Sequence, residues 1–285
     1  MGVVEGPKLE NQMKKFIQKY LNDEYEVIAS PSKRNQRPYI LYKKSLGIEF
    51  RTLNEGPLYE KMINRWEFQQ WGTYCECVAK WHEFYRLPLV VEFKFDDRLF
   101  TIILLHIKSK HTGINPSDWK RYVDEAILAR QKITTEIKKV RDYLDDVLFE
   151  TAFSNKGPSI IVMGDLNDGP GRDIFEKKYM LQNLVDVIQG TLLNPELTIY
   201  HALETFQSGA FTVIFDDPID NEKKPELLDH ILLSSAMMDG RADILFKKFS
   251  GKVEHETWKN NLGSDPDNIR DDRSSDHRPI SCEIE

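Results

Sequence analysis

Apolar side chains recur along the chain in two patterns, one typical of helices and one typical of strands. Apolar residues at helical spacing predict an amphipathic helix over 9–21, a long one over 117–149 and a short helix near 173–179. Shorter apolar or alternating runs predict strands at 3–5, 25–29, 39–43, 48–53, 75–81, 87–95, 99–107, 158–163, 228–233, 242–247 and 278–284. The residues Asp96, Asp97 and Arg98 separate two of these runs and predict a hairpin turn. A polar stretch, 250–275, predicts a surface loop.

The order of these elements favours an α/β sandwich in which two sheets pack together and helices cover their outer faces. A (β/α)₈ barrel fits less well, because the predicted strands are not each followed by a helix. We find no internal repeat and no low-complexity linker, which predicts a single domain over 1–285.

Composition narrows the class of protein. The 285 residues are 40% hydrophobic, enough for one large core, and the net charge is −7. Binding to nucleic acid would therefore require a local basic patch. No apolar run is long enough for a membrane span, and the first residues lack the pattern of a signal peptide. Three cysteines, Cys75, Cys77 and Cys282, predict structural thiols in a reducing, cytoplasmic compartment.

The segment IIVMGDLND, 160–168, carries the first candidate chemistry. Four apolar residues predict a buried strand that Gly164 ends, and Asp165 and Asn167 follow at its mouth. A carboxylate there can hold or orient a metal-bound water, and an amide can donate to a phosphate oxygen. An ordinary β-turn explains the same segment equally well when it is taken alone.

Two further clusters lie near the ends of other predicted strands. Glu5 ends the run VVE and is suited to Mg²⁺ or Mn²⁺, although a solvated acidic residue is the simpler interpretation. His106 follows four apolar residues in IILLHIKSK, where a lone histidine is more often a core residue. Lys108 is expected on the same strand face, with Lys110 beyond it, and such a basic cluster suits a phosphate. His106 would then protonate a leaving oxygen or bind a phosphate oxygen.

The last two clusters each contain an Asp-His pair. In LLDHILLSS, alternation places Asp229 and His230 on opposite faces of a strand, and a charge inside an apolar strand needs a partner. In RSSDHRPIS, Asp276 is expected to face a metal while His277 acts as a general base on water. Asp229 would hold the tautomer of His277 and stabilise its charged form. A polar turn is the alternative for the second segment.

Hydrolysis of a phosphodiester requires this set of groups. A cation neutralises the charge on the phosphoryl oxygens, a base activates water, and an acid or cation helps the leaving oxygen depart. The chain contains no GxSxG, P-loop, HExxH or GxGxxG motif, which disfavours the competing chemistries.

Taken in their order along the chain, VVEG, LLHIKSK, GDLND, LLDHILLSS and SSDHRPI resemble segments of the endonuclease/exonuclease/phosphatase superfamily, with its deoxyribonuclease-I-like fold, and of its bacterial members in particular. The resemblance covers nearly the whole chain and implies a four-layer α/β/β/α sandwich and Mg²⁺-dependent cleavage of phosphate esters. It implies that Glu5 and Asp276 bind metal, that Asp165 and Asn167 orient the nucleophile and phosphate, and that His106 lies near the scissile phosphate. It also implies that Asp229 pairs with His277. Arg130 resembles an arginine that recurs in bacterial members, and no chemistry is assigned to it.

The chain departs from this resemblance at its beginning. The family opens with a strand that carries an asparagine or aspartate near the metal, and this sequence begins at the glutamate strand. We therefore expect a domain that lacks the first strand and is truncated at its N-terminus relative to the family.

Three functions remain open at this stage. The first is a nuclease that uses Mg²⁺ or Mn²⁺ and acts on nucleic acid as a monomer. The second is a phosphatase or phosphodiesterase for phosphoinositides or other small phosphate esters, which the net charge of −7 favours. The third is a non-catalytic module that retains the fold.

Overall fold

The computed structural model describes residues 1–32, 34–73, 77–151, 156–191, 193–203, 210–217, 219, 222–260 and 275–285. Its helices are α1 Glu10–Tyr20, α2 Pro57–Ile63, α3 Trp119–Thr151, α4 Ile174–Tyr179, α5 Leu184–Gln189, α6 Ser235–Asp239 and α7 His255–Asn260. Its strands are β1 Gly2–Gly6, β2 Tyr25–Ala29, β3 Arg37–Lys43, β4 Glu49–Thr52, β5 Trp66–Gln70, β6 Val78–His82, β7 Leu89–Phe95, β8 Arg98–His106, β9 Ile160–Asp165, β10 Ile199–His201, β11 Val213–Asp216, β12 Lys223–Glu226, β13 Asp229–Ser234, β14 Lys252–Val253 and β15 Ile280–Ser281.

Two sheets form the centre of the molecule. The larger has six strands in the order β10-β13-β9-β8-β7-β4, and the smaller has the order β1-β3-β2. Within the larger sheet, β8 and β9 are parallel and the other neighbours are antiparallel. The facing sides of the two sheets share one apolar core, to which Ile28 and Ile40 contribute from the small sheet and Leu89, Val91 and Leu104 from the large one.

Helices cover the two outer faces. On the small sheet, Met13 and Ile17 of α1 pack against Tyr39 and Leu41. On the large sheet, α3 buries Ile133, Ile137, Val140 and Leu144 against the outward side chains of β7, β8 and β9. Each such side chain contributes about 1.5–3 kcal/mol by leaving water. The four layers that the resemblance implied, α/β/β/α, are therefore present.

The register of three central strands fixes the position of the polar groups. His106 at the end of β8 lies opposite Asp165 at the end of β9, and Asp165 lies opposite Asp229 at the start of β13. Gly164 makes this alignment possible, because a Cβ at that position would lie 2.0 Å from the carbonyl oxygen of Leu105. Its φ of +128° also lies in the region that favours glycine. The expectation that Gly164 ends the strand is wrong, since β9 continues through Asp165.

Most predicted elements are confirmed, including the two-residue turn at Asp96 and Asp97, where both residues have positive φ. The strand predicted at 242–247 is wrong, because only an isolated bridge joins Phe246 to Ile284. The strand predicted at 278–284 shortens to β15, and the loop predicted at 250–275 contains β14 and α7. The remainder of that loop, 261–274, and the first part of the strand predicted at 75–81 lie outside the described residues.

Two further expectations concern the cysteine thiols and the absence of a membrane-spanning helix. Cys77 and Cys282 are free, and burial raises the pKa of Cys282 to about 11. Cys75 lies outside the described residues. In the part of the chain that the structure describes, no helix combines the length and the apolar character that a bilayer span needs.

Candidate active site

Three neighbouring strands bring His106, Asp165 and Asp229 into one row at the same edge of the large sheet. The Nε2 atom of His106 lies 3.6 Å from Oδ2 of Asp165. Both aspartates and the histidine are buried, with at most 8% of each residue exposed. These groups come from positions as far apart as 106 and 229, so the sheet topology alone assembles them.

His277 completes the row from the C-terminal segment. Its Nδ1 atom lies 2.7 Å from Oδ2 of Asp229, and the carboxylate must accept this hydrogen bond. Burial alone would lower the pKa of His277, but the hydrogen bond and charge of Asp229, with the charges of Asp165 and Asp276, raise it to about 9. The Asp229 partner expected from the sequence is therefore His277, and the pair leaves Nε2 of the imidazole for other contacts.

The neighbouring Arg278 anchors the segment that carries His277. Its guanidinium lies between two aromatic rings, 4.3 Å from the centroid of Phe211 and 4.0 Å from that of Trp258. The backbone N–H of Arg278 donates to the carbonyl oxygen of Thr212 at 2.7 Å. The hydroxyl of Thr212 in turn accepts from the backbone N–H of Asp229 at 3.2 Å, which ties both members of the pair to one residue.

Asp165 is held by Asn167 through two hydrogen bonds. The backbone N–H of Asn167 donates to Oδ1 of Asp165 at 2.7 Å, and its side-chain amide donates to Oδ2 at 2.8 Å. The second amide N–H goes to the carbonyl oxygen of Ile107 at 2.8 Å. Both amide hydrogens are therefore engaged, so Asn167 orients Asp165 here and would have to exchange a bond to donate to phosphate.

The carboxyl group of Asp165 is in an unfavourable position for a negative charge. Burial, followed by repulsion from Asp229, raises the pKa of Asp165 to about 7. The charges of His277 and the hydrogen bond from Asn167 oppose this rise. A nearby cation would stabilise the ionised form further, because an opposite charge within a few ångströms favours it.

His106 is neutral near pH 7. Its Nδ1 atom lies 3.0 Å from the carbonyl oxygen of Val4, which can only accept, so Nδ1 carries the hydrogen. Burial, followed by the charge of Arg86, lowers the pKa of His106 to about 4. The Nε2 atom thus presents a lone pair, and the imidazole is poorly suited to the acid role expected of it at neutral pH.

Two residues that the sequence did not single out lie beside Glu5. The side-chain amide of Gln36 donates to Oε1 of Glu5 at 2.5 Å, and Arg86 donates to the carbonyl oxygen of that amide. The Nε and Nη1 atoms of Arg86 are buried and have no hydrogen-bond partner among the described residues. Burial lowers the pKa of Arg86, while the charges of Tyr85, Glu5 and Asp165 oppose this effect.

The basic cluster expected around Lys108 stays a prediction, and Lys110 does not belong to it. β8 ends at His106, so strand alternation does not reach Lys108, which is exposed. Lys110 points instead into an acidic group, contacting Asp168 and lying 2.9 Å from Oε1 of Glu176. Lys110 therefore stabilises the loop after β9 and is not available to a substrate.

Three remaining polar residues lie around this centre. Arg130 pairs with Asp173, which caps α4. His230 points away from Asp229, as alternation predicted, and contacts the carbonyl oxygen of Asp168 at 2.7 Å. Asp276 is exposed beside His277, where its charge raises the pKa of the imidazole.

Glu5 and Asp165 carry oxygen atoms of the kind that a hard divalent cation prefers. Glu5 and Asp165 both approach Nε2 of His106, at 3.9 and 3.6 Å, and Glu5 is 53% exposed. No group of three or more histidine, cysteine or acidic side chains within the described ranges is arranged to hold a metal. Mg²⁺ is commonly held by one or two carboxylates together with water and substrate phosphate, so this geometry is compatible with it.

The fold occurs among solved structures, although a scan against protein-family models and a search of curated proteins find no match. A truncated TDP2 from Caenorhabditis elegans is 13% identical over 98% of this chain and 81% of its own, with a TM-score of 0.51. An endonuclease/exonuclease/phosphatase family protein from Bacteroides thetaiotaomicron is 14% identical over 97% of this chain and 80% of its own, with a TM-score of 0.50. Sequence identities this low support a conclusion about the fold and about no other property. The chain has the deoxyribonuclease-I-like fold of these two structures.

Proposed function

We propose that the protein is a divalent-metal-dependent phosphoesterase that hydrolyses phosphodiester bonds, with nucleic acid as its substrate. The observation that carries this proposal is the convergence of Glu5, His106, Asp165, Asp229 and His277 at one sheet edge. A buried histidine-carboxylate pair beside further carboxylates is a frequent arrangement for activating water.

In this proposal, His277 is the general base. Asp229 accepts the Nδ1–H hydrogen bond, and in the unprotonated form of His277 the lone pair of Nε2 takes a proton from water. The water oxygen bonds to phosphorus as the bond from phosphorus to the leaving oxygen breaks in line. Asp165, held by Asn167, positions the water, and Arg86 donates to a phosphoryl oxygen through its unpartnered N–H groups.

Glu5 is the residue that would hold a divalent cation, with Asp165 and the exposed Asp276 as further oxygen donors. Such a cation supplies charge neutralisation at the phosphoryl oxygens. The unprotonated Nε2 of His106 lies on the side of Glu5. In this proposal, it accepts a hydrogen bond from bound water or substrate.

A panel of phosphate esters tests this function. The purified chain is incubated with Mg²⁺ and either plasmid DNA, short oligonucleotides, a p-nitrophenyl phosphodiester or inositol phosphates. We expect cleavage of the diesters, with the oligonucleotides as the better substrates. If the protein releases phosphate only from inositol phosphates, it is a phosphatase of small esters and the nuclease proposal is wrong. If it cleaves no ester, a non-catalytic module is favoured.

Replacing Arg86 with alanine is expected to lower kcat/KM by about 10²-fold, the effect of removing one preorganised donor to a developing charge. The variant also loses the hydrogen bond from Arg86 to Gln36, so its folding stability is measured beside the rate. Arg86→Lys keeps the charge without the planar guanidinium and should recover part of the rate. Steady-state kinetics on the p-nitrophenyl diester measure both variants, and an Arg86→Ala rate within twofold of the parent would exclude the role.

A further inference from the structure

A fully buried histidine contacts a second histidine on the side of β13 that faces away from Asp229. His201 ends β10, and His230 lies in the neighbouring strand β13. The Nε2 atom of His201 lies 2.9 Å from Nδ1 of His230, and the two rings meet edge to face with their centroids 5.1 Å apart. His230 is inaccessible to solvent. The proposed function assigns no role to either ring.

The contacts of this histidine pair determine which ring nitrogen atoms carry hydrogen. The backbone N–H of Leu203 donates to Nδ1 of His201 at 3.0 Å, so the hydrogen of that ring is on Nε2. His201 therefore donates to Nδ1 of His230, whose own hydrogen is on Nε2 and is donated to the carbonyl oxygen of Asp168 at 2.7 Å. A proton added to either ring would place two N–H groups against each other. Burial lowers the pKa of both rings, and that of His201 falls to about 3.

Asp168, which accepts from the pair, ends the turn that holds Asp165. The carboxylate of Asp168 accepts from the backbone N–H of Leu184 at 2.7 Å and contacts Lys110. Asn167, directly before it, has a φ of +51°, in the left-handed region that asparagine tolerates better than most residues. In this conformation the backbone N–H and the side-chain amide of Asn167 both reach Asp165. Fixing Asp168 therefore fixes the far end of a turn whose near end orients Asp165.

Strand alternation gives β13 a contact with each half of the candidate site. Asp229 points to one face of the strand, toward the proposed general base, and His230 points to the other. We propose that His230, held in one tautomer by His201, is a positioning residue for the site. It keeps the turn at Asn167 in the conformation that orients Asp165. This inference rests on the proposed function for the role of Asp165 in hydrolysis, but the geometry is measurable without turnover.

Nuclear magnetic resonance of the unmodified protein tests this geometry. With histidine labelled by nitrogen-15, both rings of the pair should show a protonated Nε2 and an unprotonated Nδ1 near neutral pH. With asparagine labelled instead, the side-chain amide of Asn167 should exchange its hydrogens slowly, because both are hydrogen-bonded. Its signal is assigned from its loss in Asn167→Asp. A hydrogen on Nδ1 of His230, or a doubly protonated ring, would overturn the proposal.

Two amide substitutions at His230 test the contact with Asp168. The amide of glutamine can lie where Nε2 of His230 lies and donate to Asp168, whereas the amide of asparagine lies near the position of Nδ1 and is too short. His230→Asn should lower kcat for the p-nitrophenyl diester by about 10–100-fold, the effect of losing a group that orients a metal-site ligand, with KM within about twofold of the parent's. His230→Gln should recover most of this loss. The amide of Asn167 should exchange faster in His230→Asn and at about the parent's rate in His230→Gln.

Ser234 provides the matched control on the same strand. It is buried at the other end of β13, where its hydroxyl donates to the carbonyl oxygen of Pro158 at 2.5 Å and accepts from the backbone N–H of Ile160 at 3.2 Å. Ser234→Ala also removes a buried contact between a side chain and the backbone, so it should lower the melting temperature and leave kcat unchanged. If His230→Asn likewise lowers only the melting temperature, His230 is structural and the proposal is wrong.

The outcomes separate the positioning role from the proposed function. If the parent cleaves no phosphate ester, but the Asn167 amide exchanges faster in His230→Asn and not in His230→Gln, the positioning role stands and the hydrolytic function fails. If the parent cleaves diesters and His230→Asn cleaves them with the parent's kcat, the function stands and the positioning role is wrong. A loss of kcat that His230→Gln does not recover also contradicts the role. If neither variant folds, the tautomers of the parent decide.

Discussion

Removal of divalent cations with EDTA is expected to lower the rate of phosphodiester hydrolysis by about 10³-fold or more. A metal ion contributes several kcal/mol of charge stabilisation, and about 4 kcal/mol corresponds to three orders of magnitude in rate. In the proposed function, such a cation offsets the charge of Asp165 and Asp229, which are buried beside each other, and of the nearby Glu5. Hydrolysis of the p-nitrophenyl diester before and after chelation, and after Mg²⁺ is restored, measures the effect.

Variants at two glutamates test where the cation binds. Glu5→Gln removes one negative oxygen from the site and should raise the Mg²⁺ concentration for half-maximal rate by about 10-fold, roughly 1.4 kcal/mol of binding free energy. Glu10→Gln changes an exposed glutamate on α1 that pairs with Lys14, and it should behave as the parent. An unchanged rate of diester hydrolysis in EDTA would show that the reaction does not need a metal ion.

Replacing His277 with alanine is expected to lower kcat by about 10³-fold, within the range that a positioned general base contributes. His106, the other imidazole of the row, is a much weaker base, because burial lowers its pKa to about 4. The expected loss appears mainly in kcat, because His277 acts on water and not on substrate binding. Steady-state kinetics with Mg²⁺ on the same diester provide the measurement.

His111→Ala is the matched control for this loss. His111 is exposed and follows the end of β8 by several residues, so its removal should leave kcat within twofold of the parent. Circular dichroism of His277→Ala should show the parent's secondary structure, because the segment remains held by Arg278 between Phe211 and Trp258. A folded His277→Ala variant with the parent's kcat would mean that another group activates water.

Strand periodicity and the family resemblance predicted the four layers, and they also singled out the residues that the structure brings together in one row. His106, Asp165 and Asp229 each follow or begin an apolar run, and such runs form the central strands of a sheet. Their meeting at one edge depends on register, which the run lengths alone do not determine. The family resemblance predicts this meeting.

Arg86 and Gln36 could not be found by the same reasoning. Arg86 stands alone between two strands, and its polar atoms become notable only because folding buries them without partners within the described structure. Gln36 lies in a loop and is brought to Glu5 by the pairing of β1 with β3. An arginine directly before a buried strand, at Arg86-Leu87-Pro88, was the one signal available in the sequence.

The wrong expectations share a physical cause. Alternation was extended to Lys108 beyond the end of β8, and Lys110 was counted as available although folding pairs it with Asp168 and Glu176. Gly164 was taken as a strand end because glycine favours turns, whereas here it permits close approach to Leu105. In each case tertiary contacts override a local preference.

The pH dependence of kcat/KM, compared between the parent and Asp229→Asn, tests the account most directly. In the proposed mechanism, hydrolysis requires unprotonated His277, whose pKa the carboxylates raise to about 9, so the parent's rate should rise with pH through an inflection above 6.5. Asp229→Asn removes the charge that stabilises the imidazolium, so its inflection should move to lower pH and its maximal rate should fall. Inflections at the same pH in both proteins, with equal maximal rates, would contradict a hydrolytic centre built on the His277–Asp229 pair.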